Sequence, residues 1–192
     1  TGYRPSFEPL LARPRIPGAS PSREFLDSFL VRAVADRLLG RRQQIDVLIN
    51  NAGIFKDARE LTVDGVECMF ATNHLGPFLL TNLLLDQLRA SAPARVVTVS
   101  APSTTRLDFD DLQGERRFRP LFAFGASKMA NLLFTFELAT LLEGTGVTAN
   151  AVHPGIARTG LMRDAVVPIR VLTRMLGGSP EAAAARESED RK

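Results

Sequence analysis

Lys128 stands within a strongly apolar helical stretch, where a cationic side chain needs an anionic or hydroxyl-bearing partner to offset its desolvation. Phe124 lies four residues earlier and shares that helix face one turn away. Read bare, its ring is core or the wall of a pocket. Three groups of small or polar residues each follow a β-rich run: Asn50-Asn51-Ala52-Gly53, Ser100-Ala101 and His153-Pro154-Gly155. Asn-Ala-Gly at a strand end lets a flat ligand or a phosphate reach the backbone because no side chain blocks it, although a plain turn has the same composition. Cys68 is the only cysteine, and His74 and His153 are the only histidines. No disulfide framework or Cys-based zinc site is therefore possible within the chain, and no metal site is expected. Cys68 reads as a packed, inert thiol and His153 as a loop residue rather than a base.

Positioning these groups falls to alternating helices and strands. Residues 1–22 carry Pro5, Pro9, Pro14, Pro17 and Pro21 and form an irregular arm, set apart from the domain over 23–192. Apolar spacing predicts a helix over 28–42, from Val31, Val34, Ala35, Leu38 and Leu39. A short strand over 45–49 and a long helix over 64–90 follow, the helix kinked at Gly76-Pro77. A strand over 95–100, a polar stretch, a helix over 121–143 and a strand over 147–152 complete the regular part. Ser179-Pro180-Glu181 marks the start of a last, Ala-rich helix.

This alternation predicts an α/β fold, a parallel sheet with crossover helices. The strands are continuous apolar runs, which predicts helices on both faces. Ligands bind beyond the carboxyl ends of strands in such sheets. That rule puts Asn50–Gly53, Ser100–Ser103 and His153–Thr159 along one edge.

The 192 residues suffice for one domain of ordinary size, and 45% hydrophobic with 23% charged residues excludes wholesale disorder. The net charge is +3. Arg41-Arg42 and Arg116-Arg117 have acidic neighbours and no interleaved aromatics, so they read as solvated surface charge rather than a nucleic-acid site. No run of about 18 apolar residues is present and the start has no apolar h-region, so neither a transmembrane segment nor a secretory signal is expected. A single cysteine suits a reducing compartment, and the chain as it stands is expected to be cytoplasmic.

Taken together, DVLINNAGIF, NHLGPFLLTNLLL, SKMANLLFTFELA, LEGTGVT and HPGIARTGL resemble the short-chain dehydrogenase/reductases, and within them the retinol-dehydrogenase-like branch, over residues 25–181. The resemblance implies a Rossmann-like fold, an NADP(H) cofactor and exchange of hydride between a small lipophilic alcohol and its carbonyl. It implies that Asn50, Ala52 and Gly53 line the adenosine half of the cofactor and that Asp27 meets the adenine. Asn73 would hold the helix kink and a proton-relay water; the plainer alternative is that it merely satisfies carbonyls freed beside Gly76-Pro77. Lys128 would grip the nicotinamide ribose and lower the pKa of a catalytic phenol. Pro154, Gly155, Ile156 and Thr159 would hold the carboxamide. The branch often carries an endoplasmic-reticulum anchor, and its members pair through their two long helices. Leu84 and Phe134 are the positions expected to test such homo- or hetero-dimers here.

Departures from the family pattern are equally specific. Phe124 occupies the tyrosine of Tyr-x-x-x-Lys, and the only tyrosine, Tyr3, lies in the arm. Ser100-Ala101 stands where the branch has Ser-Ser, so Ala101 replaces the serine that binds the substrate oxygen, and Ser100 would have to be re-aimed to substitute. No Gly-x-x-x-Gly-x-Gly occurs in residues 1–60. The sheet is thus expected to lack the first βαβ unit and the last strand, with cofactor binding weakened. Three readings follow: an active oxidoreductase, a catalytically impaired or truncated descendant, and a non-catalytic pseudoenzyme that pairs with active relatives.

Overall fold

The computed structural model describes residues 28–41, 43–101 and 103–155. The arm, Asp27, Ile156, Thr159 and the helix expected after Ser179 lie outside them. Helix α1 (Ser28–Gly40) starts at Ser28, whose backbone N–H donates to Asp64 Oδ2 at 2.9 Å. Strand β1 is Val47–Asn50, two residues later than the apolar run suggests. Ile45 is kept out of the ladder because its N–H donates to Ser91 Oγ at 3.0 Å.

The long helical stretch begins at Cys68 rather than at 64. Glu67 ends the preceding turn, and its carboxylate accepts from the backbone N–H groups of Met69 (2.9 Å) and Phe70 (2.7 Å), satisfying two of the donors that a helix start leaves free. Helix α2 (Cys68–Phe70) runs into a π-helical turn over Ala71–Leu75 and then into α3 (Gly76–Ala90). The irregularity thus falls one turn before Gly76-Pro77, for a definable reason. In an α-helix the N–H of residue 77 would donate to the carbonyl of Asn73, and proline has none. The N–H of Gly76 instead reaches Ala71 O, the longer π spacing.

Strand β2 (Ala94–Val99), helix α4 (Pro120–Leu141) and strand β3 (Val147–Val152) follow. Pro120 sits in the first turn of α4, where a missing N–H costs nothing. The strands are parallel in the order β1-β2-β3, with Asn50 opposite Thr98 and Val99 opposite Val152. The strand ends carrying the small-residue groups therefore lie side by side.

Alternation along the strands separates the two faces of the sheet. Leu48, Ala94, Val96, Val147 and Ala149 pack in one cluster with Ala35 of α1, Leu84 and Leu88 of α3, and Leu138 of α4. Val97, Val99 and Val152 form a second cluster on the opposite face. Val47 and Ile49 share that face by parity, and both are exposed on the outer strand. All three long helices among the described residues lie on the first face, so helices on the second are not described.

Candidate active site

Asn73 is fully buried in the π turn and clamps the loop after β1. Its Oδ1 accepts from Ile54 N–H at 2.7 Å, and its Nδ2 donates to Ile54 O at 3.0 Å and to Ser127 Oγ at 3.1 Å. The carbonyl that Pro77 leaves free is not satisfied by Asn73 itself. Asn131, on α4, donates its Nδ2 to Asn73 O at 2.8 Å. That geometry fixes the amide of Asn131, so its Oδ1 is the acceptor facing His74 Nδ1 at 3.0 Å and the neutral imidazole carries its proton on Nδ1. Burial pushes the His74 pKa down, and the Asn131 bond opposes this less strongly. Asn131 and Ser127 were the functional neighbours missed from sequence. A polar residue three places after Lys128 on an apolar helix was the available signal.

Lys128 is 5% exposed. Its Nζ donates to Val99 O at 3.2 Å, at the end of β2, and lies 5.7 Å from the Phe124 ring centroid. Desolvation lowers its pKa to about 8. A Cβ on Gly53 would lie 3.6 Å from both Lys128 Nζ and Asn73 Oδ1, so these two polar atoms flank the bare backbone of the Asn-Ala-Gly turn. Gly53, Asn73 and Lys128 thus lie together. Asn50 is placed differently: its side chain is buried, with Nδ2 donating to Thr81 Oγ1 at 2.9 Å. Ala52 is exposed beside it.

Phe124 lies on the Lys128 face as its spacing required, and its ring packs on Phe55 with centroids 5.8 Å apart. Ile54, Met69, Phe118 and Ala123 complete this hydrocarbon patch. Ser100 is not re-aimed toward Phe124. It is buried, and its hydroxyl donates to the Lys128 carbonyl at 2.8 Å. Ala101 offers no donor in its side chain. The loop after it is drawn onto α4, with Ser103 Oγ donating to Gly125 O at 2.9 Å. A Cβ on Gly125 would collide with the Thr105 hydroxyl, so the loop lies directly against the helix backbone. Ser100, Ala101, Leu132, Ala151, Val152 and His153 line an open hollow of about 170 Å³ at the same sheet edge. Pro154 and Gly155 follow it, Gly155 with φ of 83°.

A profile of the short chain dehydrogenase family matches residues 27–167. The chain belongs to that family. Among short-chain dehydrogenases, it is 51% identical to mouse (Mus musculus) retinol dehydrogenase 12 over 140 residues, covering 72% of this chain and 44% of that one. The chain spans about half the length of the curated relatives it matches. A crystal structure of a protein from Mycobacterium paratuberculosis superposes with a TM-score of 0.62 at 43% identity, over 79% of this chain and 56% of that one. An NAD(P)-dependent gluconate 5-dehydrogenase from Beutenbergia cavernae, described with bound NADP, superposes with a TM-score of 0.60 at 25% identity, over 83% and 64% of the two chains. The chain is thus an oxidoreductase by descent, from a family that binds nicotinamide cofactors. Among the described residues no helix is long and apolar enough to cross a membrane, and no cluster of His, Cys, Asp or Glu has the makings of a metal site.

The ammonium of Lys128 has three donors, and Val99 O takes one.

Proposed function

We propose that this chain retains part of an NADP(H) site and is catalytically impaired for the alcohol–carbonyl exchange of its relatives. The bound cofactor would supply or accept hydride. Lys128 would hold the ribose hydroxyls, Gly53 and Ala52 would admit the cofactor along the backbone, and Pro154 and Gly155 would approach the carboxamide, with Ile156 and Thr159 following in sequence. The names of the relatives, retinol dehydrogenases, suggest a lipophilic alcohol or its aldehyde, retinoids among them, as the ancestral substrate class.

One observation carries the impairment: the position one turn before Lys128 is filled by the Phe124 ring, packed into hydrocarbon. A proton must move on or off the substrate oxygen as hydride transfers, and a phenyl ring has none to give. Asn73, which the family uses in a proton relay, is committed through its side chain to Ile54 and Ser127.

Thermal unfolding with and without NADPH, alongside an aldehyde-reduction assay, tests this reading. NADPH at a hundredfold excess over its Kd raises stability by about 2.7 kcal/mol, and turnover stays at background. Turnover in the range of ordinary enzymes, roughly 1–10³ s⁻¹, would overturn the impairment. An unfolding curve indifferent to NADPH would overturn the cofactor site.

A second reading, a pseudoenzyme pairing with active relatives, is favoured by apolar residues that α4 leaves in solvent, Leu133, Phe136 and Leu141. Leu84 and Phe134 do not test it: Leu84 is fully buried in the core and Phe134 packs against that core. Phe136, 65% exposed, does. Phe136→Asp is expected to abolish any dimer seen by light scattering while leaving the unfolding midpoint unchanged. A dimer that survives it removes α4 as the pairing surface.

A further inference from the structure

We propose that the outer edge of β1 pairs with the same edge of a second copy of this chain, the two strands antiparallel about Leu48, so that one continuous sheet runs through both copies. Strand β1 has β2 on one side and no strand on the other among the described residues. One bond fixes the direction of its backbone groups. Arg95 N–H donates to Asp46 O at 2.9 Å, so the Asp46 carbonyl points at β2. Successive residues of a strand alternate in the edge that their N–H and C=O serve. Leu48 and Asn50, opposite Val96 and Thr98, therefore serve β2 as well, and the N–H and C=O of Val47 and Ile49 point outward. The same two residues carry the exposed apolar side chains of the strand. The usual guards of an open edge are missing: Val47-Leu48-Ile49 holds no charge and no proline, and its register with β2 runs without a bulge.

A second copy is the occupant because this edge is complementary to itself. Under a two-fold axis beside Leu48, Val47 of each copy faces Ile49 of the other. Residues so placed in an antiparallel pair exchange both of their N–H···O=C bonds. Every outward group is then satisfied with none left over, which is the closed, isologous arrangement of a homodimer. The axis is perpendicular to the sheet, so Val47 and Ile49 also meet on one face as apolar cross-strand pairs. Asp46 falls opposite Asn50, and no like charges are set against each other. This pairing is an alternative to pairing through α4, since a β1 dimer survives Phe136→Asp.

Sedimentation equilibrium of the full chain over a dilution series is expected to show monomer and dimer in exchange, and the register dictates how paired substitutions at these exposed positions act. Val47→Lys with Ile49→Lys sets lysine opposite lysine at both places and is expected to weaken the dimer roughly tenfold. Val47→Lys with Ile49→Glu sets lysine opposite glutamate instead and is expected to hold the dimer within about threefold of the starting chain. A chain that stays monomeric overturns the proposal. So does a dimer indifferent to the lysine pair, which belongs to α4 if Phe136→Asp removes it. A Lys–Glu variant as weak as the lysine pair overturns the two-fold register. Amide exchange in the unmodified chain tests the same point without relying on variants to fold. The Val47 and Ile49 amides are expected to slow by a larger factor on concentrating the sample than those of Leu48 and Asn50, which already serve β2. An equal response along the strand, or none, overturns the pairing.

Discussion

Restoring Tyr at 124 and Ser at 101 together is expected to raise NADPH-dependent reduction of a lipophilic aldehyde by roughly 10²–10⁴ over the unmodified chain. Phe124 already shares a helix face with Lys128, whose Nζ lies 5.7 Å from the ring centroid, so a phenol there enters a face the lysine already flanks. The lysine would then favour the phenolate and bring its pKa toward neutrality. Ser at 101 supplies a hydrogen-bond donor to the substrate oxygen, a contribution on the order of 10²–10³ in comparable sites. The gains do not multiply, because proton donor and oxygen binder act as a unit. Each single variant is expected to fall well short of the pair. Steady-state kinetics at saturating NADPH is the measurement. A double variant that binds NADPH and turns over no faster than the starting chain would show that the defect lies elsewhere, with the Ser103–Thr105 loop drawn onto Gly125 the first suspect.

Replacing Lys128 with Met is expected to stabilise the protein at neutral pH. The buried lysine titrates at about 8 instead of 10.5. Below pH 8 it is charged in both folded and unfolded chains, and folding bears the full desolvation cost, roughly 3 kcal/mol for a difference of this size. Met keeps most of the stem volume without the charge. Losing the bond to Val99 O takes back about 1 kcal/mol, leaving a net gain of about 2 kcal/mol. The sign with pH follows from proton binding. Between about 8 and 10.5 the unfolded chain holds a proton that the folded chain lacks, so the wild-type chain gains stability as pH rises while the Met variant does not. The variant's advantage is therefore greatest below pH 8 and disappears toward pH 10.5. Urea denaturation at several pH values measures it. An equal or lower stability for the variant at pH 7, with the same pH slope, would mean that Lys128 carries no buried charge.

The fold was legible where sequence pattern and local physics agree. Strands β2 and β3 are β-rich runs closed by small residues, and α4 is a long apolar stretch opened by Pro120; each lies within two residues of its expected bounds. The side-by-side placement of the groups that follow β1, β2 and β3 was legible from the alternation of strands and helices. The π turn was not. Pro77 marks a disturbance, but its effect is felt four residues earlier at the Asn73 carbonyl, and the group that repairs it, Asn131, is 58 residues away in sequence. Leu84 and Phe134 were misjudged for different reasons. Helix α4 is apolar all round, so residue type does not separate the partly buried Phe134 from the exposed Leu133 and Phe136, whereas on α3 the exposed stripe of Asn82, Asp86 and Arg89 already leaves Leu84 on the buried side. Ser100 illustrates a third limit: residue type shows that a hydroxyl is available, but not that the α4 backbone takes it.

The bond from Asn131 to the carbonyl freed by Pro77 also makes the history of these two positions interdependent. While residue 77 is proline, losing the amide at 131 strands a buried acceptor. Were residue 77 to regain an N–H, the helix would satisfy that acceptor from within and position 131 would be released to drift. The order in which substitutions arrive at this pair thus decides which are tolerated, and two lineages holding the same residues at 131 need not share the same reason for keeping them.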